Sequence, residues 1–245
     1  MKKIKISEVK KFIQKNIETF HKSRLKCLKD TKLKDLLKKK NPYLFKAKNI
    51  ITAQDLVISF LEARLSSSEE KIFGDFLEDL AIFVAKKTLS AVKSSSPGLD
   101  IEYTSKGVRY LVSVKSGLNW GNSSQWKALE SNFKATMKVL KQSKHAKNVE
   151  CILGISYGKQ KRSYRRGIIL QICGQDFWYT ISGEKEFYTK IIKPLGHQAK
   201  KLNTGFNTKK AQIINKFTKE LLNEFCDNKG KILWEDLVKF NSGNL

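Results

Sequence analysis

Two segments of the sequence alternate like the strands of a β-hairpin and carry an acid and a lysine. Asp100 lies in the first segment, and Ser113 and Lys115 lie in the second. Side chains alternate along a strand, so Ser113 and Lys115 share one face of the second strand. A two-residue turn at Lys106-Gly107 then places Asp100 directly opposite Ser113, with Cβ atoms roughly 5 Å apart. A four-residue turn that begins at Thr104 changes these distances but not the face.

A carboxylate beside an ammonium group suits metal-assisted hydrolysis of a phosphodiester. The aspartate is a hard oxygen ligand for Mg²⁺, and the ion offsets charge on the phosphate and lowers the pKa of an attacking water. Lys115 can orient that water or stabilise the developing negative charge. One carboxylate rarely holds the ion alone, and Ser113 stands where a second acid is expected.

Three glutamates are candidates for the second acid. Glu78 lies beside an apolar stripe on the helix that precedes the hairpin, where a carboxylate is costly without a metal or cation as partner. Glu130 lies on the helix that follows Lys115, whose first turns are expected near the same end of the sheet. Glu102 shares the face of Asp100 but sits farther along its strand. We favour Glu78 over Glu130, which can equally be a solvated helix residue, and keep Glu102 as a minor candidate.

Apolar residues recur at helical spacing on both sides of the hairpin and alternate within it. The turn signal SSSPG marks the change from the helical to the strand period. Thr52 followed by Asp55 forms a start that resembles a capping box. Strands are predicted at 99–103, 108–115, 149–155 and 167–173. Helices are predicted at 7–21, 30–40, 52–65, 67–87, 123–143, 184–193, 205–226 and 232–240.

This order of elements predicts an α/β fold. A central mixed β-sheet flanked by helices forms the core, with helical additions at the N- and C-terminal ends. No low-complexity linker divides the chain, so we expect a single domain over 1–245. Within it, 1–66 is a helical N-terminal region, 67–183 is the α/β core and 184–245 is a helical C-terminal region.

The charge of the chain indicates a polyanionic partner. The 245 residues include 48 Lys and Arg against 23 Asp and Glu, which gives a formal net charge of +25. Such a chain repels itself unless a polyanion lies nearby, and nucleic acid is the obvious one. A composition set by an AT-rich genome would explain many lysines but not the shortage of acids.

Cysteine usage and the lack of long apolar runs indicate the compartment. The four cysteines lie far apart, with no Cys-x-x-Cys pair and no histidine at zinc-ligand spacing. They are typical of thiols in a reducing cytoplasm. The first residues contain lysines but no apolar segment of a signal peptide, and no run reaches the roughly 18 apolar residues of a membrane span. We therefore expect a cytoplasmic protein with no membrane partner.

Two loops carry groups that can contact DNA. The first, SGLNWGNSSQ, follows Lys115 and leads into a helix whose N-terminal N–H groups suit phosphate. The second, GKQKRSYRRG, joins two strands and is expected to clamp the phosphate backbone before it reads bases. The alternative is that Ser123 or Ser124 only caps the helix and that Trp120 belongs to the core. The DNA-binding candidates are Asn119, Trp120, Asn122, Ser123, Ser124, Gln125, Lys159, Lys161, Arg162, Arg165 and Arg166.

The order of these elements resembles the core of the PD-(D/E)XK nucleases. A helix with Glu78, a strand with Asp100, a strand with Lys115, a helix and a strand follow one another. The residues PGLD, which end at Asp100, resemble the first motif of that superfamily with two residues inserted. Ser113 departs from the pattern, because the superfamily has a second acid there. Some of its restriction enzymes carry a similar Ser-x-Lys with a glutamate on the next helix, which resembles Lys115 followed by Glu130.

Longer blocks make the resemblance narrower. They are NPYLFKAKN, TAQDLV, SVKSGLNWGNSSQ, CGQDFW, ISG and PLGH, and they span nearly the whole chain. These blocks are similar to the PmeII family of type II restriction endonucleases. The resemblance implies cleavage of double-stranded DNA with Mg²⁺ by a homodimer, with a modification methyltransferase as the partner in the cell.

Two other functions stay open at this point. One is a non-catalytic basic protein that binds DNA or RNA, in which Asp100 and Lys115 form an ordinary ion pair. The other keeps the nuclease core but makes it a repair or junction-resolving enzyme.

Overall fold

The computed structural model describes residues 1–142, 148–196 and 199–244. Within these residues the protein combines one mixed β-sheet with helices. The strands are β1 (Val92–Lys93), β2 (Ile101–Ser105), β3 (Val108–Lys115), β4 (Asn148–Ile155), β5 (Ser163–Arg165) and β6 (Ile169–Cys173). The helices are α1 (Ile6–Asp30), α2 (Leu33–Lys39), α3 (Pro42–Ala47), α4 (Ala53–Leu89), α5 (Ser123–Gln142), α6 (Gln175–Ser182), α7 (Phe187–Lys190), α8 (Ile192–Leu195), α9 (Ala199–Phe225) and α10 (Trp234–Ser242).

The sheet runs in the order β1-β2-β3-β4-β6-β5. Strands β3, β4 and β6 are parallel to one another, and β1, β2 and β5 pair antiparallel to their neighbours. The predicted central mixed sheet is therefore confirmed. Because β3, β4 and β6 run in one direction, their carboxyl ends meet at the same edge, which is where α/β proteins place their ligand sites.

The β2–β3 hairpin has the two-residue turn that the sequence favours. Lys106 and Gly107 both have positive φ, 49° and 76°, as a turn compatible with strand twist requires. Ile101 pairs with Val112, and the Asp100 N–H donates to the Val112 carbonyl at 2.8 Å. Asp100 therefore lies one residue before β2 and opposite Ser113, as predicted.

Helix α5 covers one face of the sheet. Its buried Leu129 and Phe133 pack in one apolar cluster with Leu111 of β3 and Leu153 of β4. Leu111, Ser113 and Lys115 alternate onto this same face. The strand pattern and the helical stripe of α5 together therefore position the end of β3 that carries Lys115.

Helix α6 covers the opposite face. A side chain at Gly154 of β4 would collide with the Phe177 ring, since an added Cβ would lie 2.2 Å from Phe177 Cε2. Phe177 and its neighbour Trp178 are both buried. The sequence assigned no helix to this segment, because eight residues between two glycines are too short to show a clear period.

Helix α4 differs from the prediction of two helices that meet near residue 66. It runs unbroken from Ala53 to Leu89, and its predicted start is confirmed by reciprocal bonds between Thr52 and Asp55. The serines at 66–68 do not end the helix, because Ser67 Oγ donates back to the Ala63 carbonyl at 3.0 Å and neither Gly nor Pro interrupts the turn.

Other boundaries also differ. The predicted helix over 184–193 is divided into α7 and α8, and Gly183, in the left-handed region at φ 74°, ends α6 before them. The first helix extends to Asp30. The basic loop after β4 contains the short edge strand β5, which the prediction missed because three residues carry no measurable alternation.

The chain divides into two compact units, each made of two separate stretches. One comprises Met1–Ile17 and Phe73–His197, and the other comprises Glu18–Ile72 and Gln198–Leu245. The first contains the whole sheet. The second is helical and has its own apolar cluster, in which Phe60 and Leu221 are fully buried. The single nuclease domain with regions 1–66, 67–183 and 184–245 stays a prediction.

None of the described helices has the length and apolarity that crossing a bilayer requires.

The contact between Gly154 and Phe177 predicts a stability effect. Gly154→Ala is expected to lower the free energy of unfolding by about 1–3 kcal/mol, because the added methyl group forces Phe177 out of its place. Gly121→Ala is the matched control, since its Cβ would meet side-chain atoms at ordinary distances of 3.6 Å or more. Urea denaturation of both variants measures the difference, and equal stability of the two would contradict the packing described.

Candidate active site

Asp100 is held by main-chain and side-chain groups of β3. The Val114 N–H donates to Asp100 Oδ2 at 2.6 Å, and Ser113 Oγ lies 3.4 Å from the same oxygen. Ser113 is fully buried. The hairpin therefore fixes one carboxylate oxygen and leaves the other to a ligand.

Glu78 reaches the same site from helix α4. Gly74, one turn earlier on the same helix face, packs against Ser116, because an added Cβ would lie 3.5 Å from Ser116 Cβ. Ser116 directly follows Lys115. Burial raises the pKa of Glu78, the charge of Asp100 raises it further, and the positive charge of Lys115 opposes both effects. Glu78, Asp100 and Lys115 are therefore brought together.

The two carboxyl groups are costly to ionise in this position. Burial raises the pKa of Asp100 above its ordinary value, although the Val114 N–H and the charge of Lys115 both favour the carboxylate. The pKa of Glu78 moves in the same direction. Two acids that repel each other in a partly desolvated site are the setting in which a divalent cation binds with most effect.

The other two candidate acids have different partners. Glu130 pairs with Lys134 of its own helix at 2.7 Å, and the hydrogen bond from Lys134 lowers its pKa. Glu102 is buried against Arg109 and also accepts a hydrogen bond from Ser94 Oγ. The described contacts therefore connect neither glutamate with Asp100, and both have the surroundings of structural residues.

Lys115 lies beside an aromatic pair. Its Nζ is 5.8 Å from the centroid of the Trp120 ring, and Trp120 packs on Trp126 with centroids 4.8 Å apart. The Trp120 indole N–H is buried without a hydrogen-bond partner among the described residues. Trp120 therefore packs on Trp126 and lies beside the Lys115 ammonium group, and its contact with DNA stays a prediction.

Lys93 is a charged neighbour that the sequence reasoning missed. Its positive charge lowers the pKa of both Glu78 and Asp100. It lies on β1, whose two residues pair with β2 beside Asp100. A two-residue strand carries no sequence signal, so only the tertiary structure could find this lysine.

The donor set fits a hard divalent cation. In the parts of the chain that the structure describes, no cluster of three or more His, Cys, Asp or Glu side chains is placed to hold a metal. Mg²⁺ is usually held by one or two carboxylates together with water and substrate phosphate. The pair Asp100 and Glu78 meets that requirement, whereas a structural zinc site would need four protein ligands.

The two loops with DNA-binding candidates meet at one cleft. The cavity has a volume of about 660 Å³, and Asn119 of the first loop and Lys159, Arg165 and Arg166 of the second line it. Trp126 lines it as well, which connects it through Trp120 to Lys115. Lys161 and Arg162 are exposed and are not among its lining residues.

The cap of α5 differs from the alternative in which Ser123 or Ser124 caps the helix. Asn122 is the capping residue, because its Oδ1 accepts from the Gln125 N–H at 3.0 Å while Gln125 Oε1 accepts from the Asn122 N–H at 2.9 Å. Ser124 Oγ also donates to Asn122 Oδ1. Ser123 and Ser124 are exposed and do not cap the helix. This cap engages the side-chain oxygens of Asn122 and Gln125, so their side-chain NH2 groups can still donate to a ligand.

Comparison with protein families identifies the class of protein. The family model for type II restriction endonuclease EcoO109I matches residues 7–203, more than half of the chain. The chain therefore belongs to the EcoO109I family of type II restriction endonucleases. Comparison with curated proteins gives no match.

Membership of this family confirms the prediction of a restriction endonuclease, and with it a nuclease whose substrate is DNA. Such enzymes generally use a divalent metal ion. The narrower resemblance to PmeII stays a prediction. His197, which ends the PLGH block, lies outside the described residues.

The raised pKa of Asp100 predicts a gain in stability when its charge is removed. A carboxyl group whose pKa is higher in the folded than in the unfolded chain binds its proton more tightly when folded. The free energy of unfolding therefore falls as the pH rises from the ordinary aspartate range through the raised pKa. Asp100→Asn is expected to raise the Tm in EDTA at about pH 8, with the gain shrinking toward about pH 4.

Glu102→Gln is the control on the same strand face. It breaks the ion pair with Arg109 and is expected to lower the Tm, because it leaves the guanidinium without its partner. Thermal denaturation followed by circular dichroism measures both variants. A lower Tm for Asp100→Asn at about pH 8 would show that the carboxylate stabilises the fold instead of opposing it.

Proposed function

We propose that the protein is a type II restriction endonuclease that cuts both strands of double-stranded DNA at a specific sequence and requires Mg²⁺. The observation that carries the proposal is the convergence of Glu78, Asp100 and Lys115 where β3 ends. This is the arrangement expected of a PD-(D/E)XK core in which the helix glutamate supplies the second acid, and Ser113 occupies the usual place of that acid.

The roles of the residues follow from their surroundings. Asp100 and Glu78 would hold the Mg²⁺ ion, and the hydrogen bonds from Val114 and Ser113 keep the Asp100 carboxylate in one orientation. When bound, the ion offsets negative charge on the scissile phosphate and lowers the pKa of a water. Lys115 directs its ammonium group at the attacking water or at the charge that develops on the phosphate.

The cleft lined by Asn119, Lys159, Arg165 and Arg166 supports binding of the DNA beside these acids. Arginines and lysines neutralise phosphates, and an asparagine amide can pair with a base edge. A cut in both strands requires two such sites, so we propose that the active enzyme is a homodimer. A DNA methyltransferase that modifies the same sequence is the proposed genetic partner. We also propose that the enzyme is related to the PmeII family.

Metal-dependent cutting is the first test. The purified protein is expected to cut a sequenced plasmid into discrete fragments with Mg²⁺ and to leave it intact with EDTA. The reason is that the ion offsets the negative charge of the scissile phosphate. Asp100→Ala and Lys115→Ala are expected to abolish cutting and keep DNA binding. Agarose gels and run-off sequencing of the ends measure the result.

Each alternative function gives a different outcome in this experiment. Salt-sensitive binding with no cutting, and with DNA affinity unchanged in Asp100→Asn, would indicate a non-catalytic basic protein. Preferential cutting of branched over linear duplex would indicate a junction or repair nuclease. A smear without discrete fragments would contradict sequence specificity.

The second acid is tested by two matched substitutions on helices of the same unit. Glu78→Gln is expected to lower kcat at least about 100-fold, because losing a metal ligand removes several kcal/mol of transition-state stabilisation. Glu130→Gln is expected to keep kcat within a few-fold of the unsubstituted enzyme. Single-turnover cleavage at saturating Mg²⁺ measures both. A large loss of kcat in Glu130→Gln, with little loss in Glu78→Gln, would show that Glu130 supplies the second acid.

A further inference from the structure

A second cavity lies beside the candidate active site, at the same edge of the sheet. Its volume is about 620 Å³, within the range of pockets that bind small ligands. It lies where the chain leaves β4 and β6. Its walls are mainly aromatic and aliphatic, with Phe73, Leu77, Tyr157, Trp178, Tyr188 and Ile192 among the lining residues.

The wall of this cavity contains a buried hydroxyl without a hydrogen-bond partner among the described residues. Ser156 lines it, is only 5% exposed, and its Oγ makes no hydrogen bond with any described residue. The main chain of Ser156 is fully engaged, since its N–H donates to the Lys115 carbonyl at 2.8 Å and its carbonyl accepts from Trp178 Nε1 at 2.8 Å. A buried hydroxyl without a partner is costly, so this group is suited to a ligand with a polar edge.

The rim of the cavity is built from tightly packed backbone. Gly158 has φ 118°, and Gly174 has φ 52° with its Cβ position only 2.7 Å from the Gly158 carbonyl oxygen. Larger residues at these positions would separate the two strand ends. The cavity is therefore preformed, and a ligand does not have to open it.

The cavity and the DNA cleft share a residue. Lys159 lines both, and Leu77 directly precedes Glu78 on α4. A duplex bound in the cleft would thus lie beside the mouth of this cavity.

We propose that this cavity receives a nucleobase extruded from the bound duplex. The proposal rests on the proposed endonuclease function and adds a specificity element to it. A base is flat and aromatic, so it stacks on the exposed rings of Tyr157 and Tyr188 in the cavity wall. Its polar edge takes the hydrogen bond of Ser156, and Lys159 neutralises the phosphate of the extruded nucleotide. Extrusion costs pairing and stacking energy, which these contacts offset.

The test uses duplexes that contain the cleavage site mapped by plasmid digestion, with Ca²⁺ in place of Mg²⁺. In each duplex one nucleotide is made abasic. The base opposite it is then unpaired, so its extrusion breaks no base pair. Where that orphaned base is the extruded one, the full-length enzyme is expected to bind at least about tenfold more tightly than it binds the intact site. A 2-aminopurine placed at that position is expected to change its fluorescence on binding.

Two matched variants locate the effect. Ile192→Asp puts a charge at the mouth of the cavity on a side chain that is 66% exposed, so the fold tolerates it. It is expected to lose the tenfold gain. Val139→Asp makes the same change at a side chain that is 62% exposed and does not line the cavity. It is expected to keep the gain, and circular dichroism checks that both variants are folded.

Each other outcome overturns the proposal. An enzyme that cuts its site but shows no position with tighter binding uses no extruded base, and the endonuclease function then stands alone. If Ile192→Asp still binds the abasic duplex more tightly than the intact site, the extruded base lies outside this cavity. Sedimentation shows whether Ile192→Asp still forms dimers. If the dimers are lost while the tighter binding of the abasic duplex is unchanged, the cavity contacts a second copy of the chain instead of a base. A chain that neither cuts nor binds duplex DNA overturns both proposals.

Discussion

The proposed active site depends on keeping two carboxyl groups partly out of water at the end of a hairpin. Burial raises the pKa of Asp100 and Glu78, and no salt bridge within the described parts of the chain reverses the effect. The Val114 N–H fixes Asp100 at 2.6 Å without neutralising it. The fold thus maintains a site that is electrostatically unfavourable by itself and becomes favourable when a cation and a phosphate enter together.

The remaining architecture serves that arrangement. The register of the β2–β3 hairpin places Asp100 opposite Ser113, and α4 brings Glu78 to the same point through the close approach of Gly74 to Ser116. Parallel pairing of β3, β4 and β6 gathers their carboxyl ends at one edge. The loops that leave those ends then line the basic cleft and the aromatic cavity, which share Lys159.

Some of the chain's many basic side chains are concentrated in the cleft at this edge of the sheet. Of the five basic candidates in the loop after β4, Lys159, Arg165 and Arg166 line the cleft, whereas Lys161 and Arg162 do not. A net charge of +25 attracts DNA to the whole surface, but only side chains directed by the sheet can hold a phosphate in register with the acids. The net charge therefore attracts DNA in general, whereas the basic side chains of the cleft are the ones that can make specific contacts with it.

Much of this arrangement was determined by the sequence alone. A period-2 pattern and the Lys106-Gly107 turn define the hairpin, and so the face that Asp100 shares with Lys115, because alternation along a strand is local. The sequence could not decide between Glu78 and Glu130, since a helix residue's distance to a strand end depends on packing. The convergence of Glu78 with Asp100, the charge of Lys93 and the meeting of two distant loops were decided only in the tertiary structure, because each joins residues that no local pattern connects.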